Sequence, residues 1–282
     1  MVKFGPSGND QFFYAEGNKS TDQGFARLKD IGLNAFEYSF GRGNFLSIET
    51  ATKYGKEAER CGITMSVHAP YYINFSNPLD EFAHNGNGYL LNSLRNVKLF
   101  GGNRVVFHVG SVLKQERKVA VDFAKRRLND FMQEFYDQGF EDFYICPETM
   151  GKYGQVGSVD EIYEFCKIDK AIIPALDFGH INSITQGSLS SESAFRQILE
   201  KGIEEIGYDK MRICHIHFSK IEYGAKGEIR HLSLDDKKYG PSFEHLAPVL
   251  HELKLEPVVI CESAGTQSQD ALKMKRIFER FA

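Results

Sequence analysis

Eight short runs rich in valine, isoleucine and phenylalanine recur along the chain: Val2–Phe4, Ala35–Ser39, Thr64–His68, Arg104–His108, Phe143–Glu148, Ile172–Asp177, Arg212–His217 and Val258–Glu262. A polar loop and a stretch with helical period follow each run. Helix signals lie between them. Ser158-Val-Asp-Glu161 is a capping box, and Ser47 opens a stretch that stops at Cys61-Gly62. Glycine also closes the helices at Gly32, Gly101-Gly102 and Gly139, where a left-handed cap turns the chain back towards the next strand. Strands and helices alternating at this rhythm indicate parallel β/α units, and eight units indicate a closed barrel. The expectation is an α/β fold of the (β/α)8 TIM barrel type, with 1–282 as a single domain. The competitor is a doubly wound open sheet.

The chain has 282 residues, an ordinary length for one such barrel, with no linker-like segment. A 42% apolar content with 23 Phe and 13 Tyr suffices for a large core. The formal charge of −4 argues weakly against nucleic-acid binding by bulk electrostatics, though a basic rim or bound metal could still do so. The N-terminal residues lack a signal-peptide pattern, and no apolar run reaches bilayer-spanning length. Five cysteines without a C-x-x-C pair speak against a disulfide framework or a thiolate zinc site. A cytoplasmic enzyme is therefore expected.

The chemistry gathers where the strands end, which in barrels is the functional face. Strand three ends in His68, strand four in His108 and strand five in Glu148. Strand six ends in Asp177 with His180 just beyond, strand seven carries His215 and His217, and strand eight ends in Glu262. One histidine at a strand end is ordinarily a hydrogen-bonded core residue. Six successive strands ending in metal-capable side chains are a pattern. Burying so many ionisable groups together is costly unless cations compensate. Imidazole with carboxylate suits zinc, manganese or iron rather than calcium, and the number of ligands implies two or three ions. Cys214 and Cys261 adjoin ligands, so strand alternation turns them outward as apolar filler. His84, His245 and His251 fall in loop or helix context and are assigned structural roles. The segment HNGNGYL (84–90) precedes a helix and is a weak phosphate-loop signal.

With these motifs in place, the chain resembles endonuclease IV, the zinc-dependent apurinic/apyrimidinic endonuclease family. The resemblance rests on VHAPYYINF (67–75), FHVGS (107–111), ETMGK (148–152), LDFGH (176–180), CHIHFSK (214–220) and ICES (260–263). It implies up to three Zn²⁺ per chain, with manganese as an alternative at one site. Glu148 would bridge two ions and be the pivotal catalytic residue. His68 and His108 would complete one centre, and Asp177, His215 and Glu262 would hold the second. His180 and His231 would hold the third with an acidic residue. The family places an aspartate where this chain has Ile229, and Glu228 is the candidate substitute. The reaction implied is hydrolysis of the phosphodiester 5′ to an abasic site in double-stranded DNA, by a hydroxide that the metals activate. The abasic nucleotide would be turned out of the duplex, with Tyr71, Tyr72 and Arg42 placed to contact the substrate. A monomer is the default, with no protein partner implied.

The alternative is a sugar isomerase or epimerase of the xylose isomerase-like superfamily, using one or two metals. Glu148, Asp177, His215 and Glu262 would satisfy such a site, leaving His68, His108, His180 and His231 unexplained.

Overall fold

The computed structural model describes residues 1–281. Eight parallel strands form the barrel: β1 (Lys3–Pro6), β2 (Ala35–Ser39), β3 (Thr64–His68), β4 (Arg104–Phe107), β5 (Tyr144–Pro147), β6 (Ala175–Asp177), β7 (His215–Phe218) and β8 (Val258–Cys261). They pair as two four-stranded sheets, β2-β3-β4-β5 and β1-β8-β7-β6. Isolated parallel bridges join the sheets at both seams. Ser7 meets Glu37 at one, and Glu148 meets Ala175 at the other, with Ile145–Ile172 as a further bridge there. The closed barrel is the expected TIM architecture.

Gly5 makes the β1–β2 seam passable, because a Cβ there would lie 1.8 Å from the Ala35 carbonyl oxygen. Helices between the strands cover the barrel, their apolar faces packed on the outward residues of the strands. The expected caps form. Ser158 and Glu161 complete a capping box, and Gly62 adopts the left-handed conformation after the helix Ile48–Cys61. Cys214 and Cys261 are buried free thiols in the layer beneath the helices. No helix of the described residues is long and apolar enough to cross a membrane.

Two local expectations need correcting. HNGNGYL lies inside the helix Asp80–Leu99 rather than before it. Gly86 there packs on Phe75, whose ring would sit 2.9 Å from an added Cβ. The seventh strand begins at His215 and not at Arg212, because Tyr208–Arg212 forms a helical turn.

Two short antiparallel pieces sit beyond the strand ends. Gly110–Ser111 pairs with Gln155–Val156. A hairpin of Lys220–Gly224 and Gly227–Leu232 projects after β7.

Candidate metal centre

Alternate strand residues point into the barrel, and the uppermost inward layer holds the ionisable side chains. Glu148, buried to 1% exposure, is their hub. Its Oε2 lies 3.1 Å from His68 Nε2 and 3.0 Å from His108 Nε2. Its Oε1 lies 2.9 Å from His217 Nδ1. The two carboxylate oxygens thus face two different clusters, His68–His108–Glu148 and Glu148–Asp177–His217–Glu262. A third cluster, His180–Glu228–His231, stands beside them. A cavity of about 360 Å³ opens over all three.

The far ring nitrogens are also held. His68 Nδ1 is 2.8 Å from the Ala69 carbonyl, His180 Nδ1 is 3.0 Å from the Thr149 carbonyl, and His231 Nδ1 is 2.8 Å from Ser219 Oγ. Such outer contacts fix the tautomer and leave Nε2 free to bind an ion.

The structure brings together His68, His108, Glu148, Asp177, His180, His231 and Glu262 as the sequence led one to expect. It places His215 elsewhere. In the parallel register Asp177 stands level with His217, whereas His215 stands level with Ala175 and Val258, one layer deeper. His217 is therefore the histidine beside Asp177 and Glu262. The expectation for His215 came from the family resemblance of the CHIHFSK motif, whereas the register of β7 brings His217 to this level.

Sequence reasoning also missed Glu37. It lies mid-strand on β2, fully buried, with His215 Nε2 at 3.0 Å and His217 Nε2 at 2.8 Å. A carboxylate at the centre of an apolar run, flanked at two-residue spacing by Ala35 and Ser39, was the available signal.

The third cluster answers the question posed by Ile229. The hairpin register jumps from Arg230↔Glu222 to Glu228↔Tyr223, so Ile229 is the extra residue of a β-bulge. In a regular strand, positions 228 and 231 would face opposite sides. The bulge returns both to one side, sending Ile229 into solvent at 59% exposure and Glu228 towards His180, 3.5 Å away. The Glu228 backbone N–H also donates to the Gly151 carbonyl at 2.8 Å, docking the hairpin on the barrel. We expect Glu228→Ala to lower metal content by one equivalent while Ile229→Ala leaves it unchanged. Elemental analysis of the two purified variants checks this.

The electrostatics fit a cationic occupant. Burial pushes the Glu148 carboxyl up, but His217 and hydrogen bonds from His108, His217 and His68 outweigh it and hold the group well below the usual range. Burial pulls His68 down, yet Glu148 carries it up to about 9. Burial prevails at His108, which is lowered, and at Asp177, which is raised. Asp177 Oδ2 is buried without a hydrogen-bond partner. Three carboxylates crowd round one imidazole in the second cluster, an arrangement that divalent ions stabilise. The imidazole and carboxylate donor set suits zinc.

Metal uptake at the His68–His108–Glu148 cluster should expel about one proton near pH 7, since imidazole binds only when deprotonated. Binding heats measured in buffers of different ionisation enthalpy report that proton. The affinity should rise with pH up to and through about 9, levelling off only above it, where His68 becomes neutral.

The residues expected to touch substrate lie at the mouth. Tyr71 is 57% exposed and Tyr72 52%. The Tyr71 ring lies 6.0 Å from that of His68 and 5.7 Å from that of His108, which places it on the cavity wall. Tyr72 packs towards Tyr89 at 5.9 Å. Arg42 is exposed on the neighbouring loop, whose Gly41 carbonyl accepts from the Tyr71 N–H at 3.1 Å.

Comparison with known proteins agrees with this architecture. An uncharacterised protein of Methanocaldococcus jannaschii is 30% identical over 248 residues, covering 88% of each chain. A probable endonuclease 4 of Malacoplasma penetrans is 29% identical over 217 residues, covering 75% of this chain and 71% of that protein. Among solved structures, a D-tagatose 3-epimerase-like protein superposes with a TM-score of 0.73 at 19% identity, covering 99% of this chain and 97% of the other. Endonuclease IV from Thermus thermophilus superposes with a TM-score of 0.67 at 18% identity, covering 92% of this chain and 93% of the other. These structural likenesses establish the barrel and do not choose between the two chemistries. The xylose isomerase-like TIM barrel family matches residues 25–278, and the chain belongs to that family.

Proposed function

We propose that this protein is a metal-dependent endonuclease that hydrolyses the phosphodiester 5′ to abasic sites in double-stranded DNA. The observation that carries this reading is the position of Glu148, which joins the four-residue set to a second, histidine-rich cluster, with a third alongside. Sugar isomerisation accounts for Glu148, Asp177, His217 and Glu262 only. That four-residue set is the specific feature favouring the isomerase as second reading.

Zinc, at up to three ions, would supply Lewis-acid stabilisation of charge on the phosphate oxygens and the leaving 3′-oxygen. The chain's own groups do the positioning. Glu148 would hold the ions of the two clusters that it joins. Lys152 lines the cavity, with its ammonium 3.7 Å from Glu228 Oε2, and offers a cation to a phosphate. Tyr71 presents a ring face to an extruded sugar or its neighbouring base. Exposed Lys226, Arg230, Lys237 and Lys238 lie on the hairpin and the loop after it, a basic rim suited to backbone phosphates on a chain of overall negative charge. The proposal takes duplex DNA as the partner, the chain as a monomer and the cytoplasm as its location.

The test is a duplex carrying one tetrahydrofuran abasic analogue, incubated with zinc- or manganese-loaded protein with and without chelator. Chelator-sensitive cutting on the 5′ side of the analogue is expected. An intact duplex, together with turnover of a ketose or aldose, would replace this reading with the isomerase.

A further inference from the structure

Below the layer of candidate ligands, the barrel buries one more carboxylate. Glu37 has no exposed surface and does not line the cavity. Its Oε1 lies 2.8 Å from His217 Nε2, and its Oε2 lies 3.0 Å from His215 Nε2. Ser66 Oγ donates to the same Oε2 at 2.9 Å. Removing a carboxylate from water costs several kcal/mol even after relaxation, and an apolar side chain would fill this layer at no such cost. Something must use the charge.

The other nitrogen of His217 indicates what. Nδ1 lies 2.9 Å from Glu148 Oε1 and 3.6 Å from Glu262 Oε1, facing the second cluster. His68, His180 and His231 instead turn Nε2 towards their clusters and rest Nδ1 on a neutral oxygen. His217 is turned the opposite way round and has a carboxylate behind it.

We propose that Glu37 is a positioning residue that keeps the proton of His217 on Nε2, so that Nδ1 presents its lone pair to an ion held with Glu148, Asp177 and Glu262. His215, whose Nε2 lies 3.0 Å from Glu37 Oε2, is then a neighbour of that carboxylate and not a ligand. The inference rests on the metal-centre part of the reading above and not on abasic DNA as substrate. Glu37 can only accept, and it faces three groups that can donate. Glutamine would turn its NH₂ against one of them. The rival, an ion held inside by Glu37, His215 and His217, fits less well. Those three side chains do not line the cavity, and an ion there would leave His217 Nδ1 turned towards Glu148 and Glu262 with nothing to bind.

Two measurements test the proposal. Long-range ¹⁵N NMR of the zinc-loaded wild-type chain should show His217 coordinated through Nδ1 and protonated on Nε2. Coordination through Nε2 would overturn it, and this measurement holds even if a variant fails to fold. Zinc affinity is then measured by competition with a chromophoric chelator for wild type, Glu37→Gln and His215→Gln. Glu37→Gln should loosen one equivalent about 10–100-fold, the range typical of lost outer-shell partners, and leave the others unchanged. His215→Gln should keep every equivalent. Wild-type affinity in Glu37→Gln, or loss of a whole equivalent in His215→Gln, would contradict the proposal. Since no DNA is involved, failure of the endonuclease reading would not alter these outcomes.

Discussion

Glu148→Gln is expected to weaken two metal centres at once and to abolish turnover. Its carboxylate is the one group whose two oxygens serve different clusters, with His68 and His108 on Oε2 and His217 on Oε1. Glutamine keeps the volume but replaces one acceptor with a donor, and it removes the negative charge that both ions would share. The loss should exceed the roughly 100-fold ceiling for outer-shell contacts, because Glu148 is proposed as a direct ligand. Glu228→Ala, by comparison, should cost only the third centre. Parallel chelator titrations of the two variants read the difference. Equal loss in both would mean that Glu148 is not shared.

The second large effect is on stability. Ions that bind only the folded chain stabilise it by about 4 kcal/mol at a thousandfold excess over Kd, roughly 8 °C in melting temperature per tightly held ion for a domain of this size. Chelation should therefore lower the melting temperature by at least that much, and the gap should depend on pH. In stripped protein His68 is raised from its ordinary value near 6.5 to about 9 by Glu148, against the pull of burial. The stability from that pairing is fully present below pH 6.5 and is lost as pH rises towards 9. In the loaded protein, metal binding strengthens over the same window because proton competition fades. The stripped melting temperature should thus fall between pH 6.5 and 9 while the gap to the loaded protein widens. Calorimetric scans with and without chelator at several pH values check both slopes.

The barrel was legible because its signal is repeated: eight apolar runs, each followed by an amphipathic stretch, leave few alternatives. Most of the candidate site was legible for a related reason, since position at a strand end and residue type coincide at His68, His108, Glu148, Asp177 and Glu262. What failed was depth. His215 and His217 share a face, so periodicity cannot say which stands level with Asp177. That depends on the register of β7 against β6 and β8, which is set by pairing and not by periodicity. Glu37 was missed because attention to strand ends passes over a charge in mid-strand, although its burial is intelligible only through partners on β3 and β7. Glu228 could be named as a substitute but not placed, because its direction depends on a bulge that strand alternation does not predict.

Three ions are proposed to gather around Glu148 and its neighbours. Anomalous diffraction at the zinc edge from crystals of the zinc-loaded protein tests it most directly. Three peaks are predicted: one beside His68, His108 and Glu148; one among Glu148, Asp177, His217 and Glu262; and one beside His180, Glu228 and His231. A single peak, confined to the Glu148–Asp177–His217–Glu262 set, would rule out the three-ion centre and favour the isomerase.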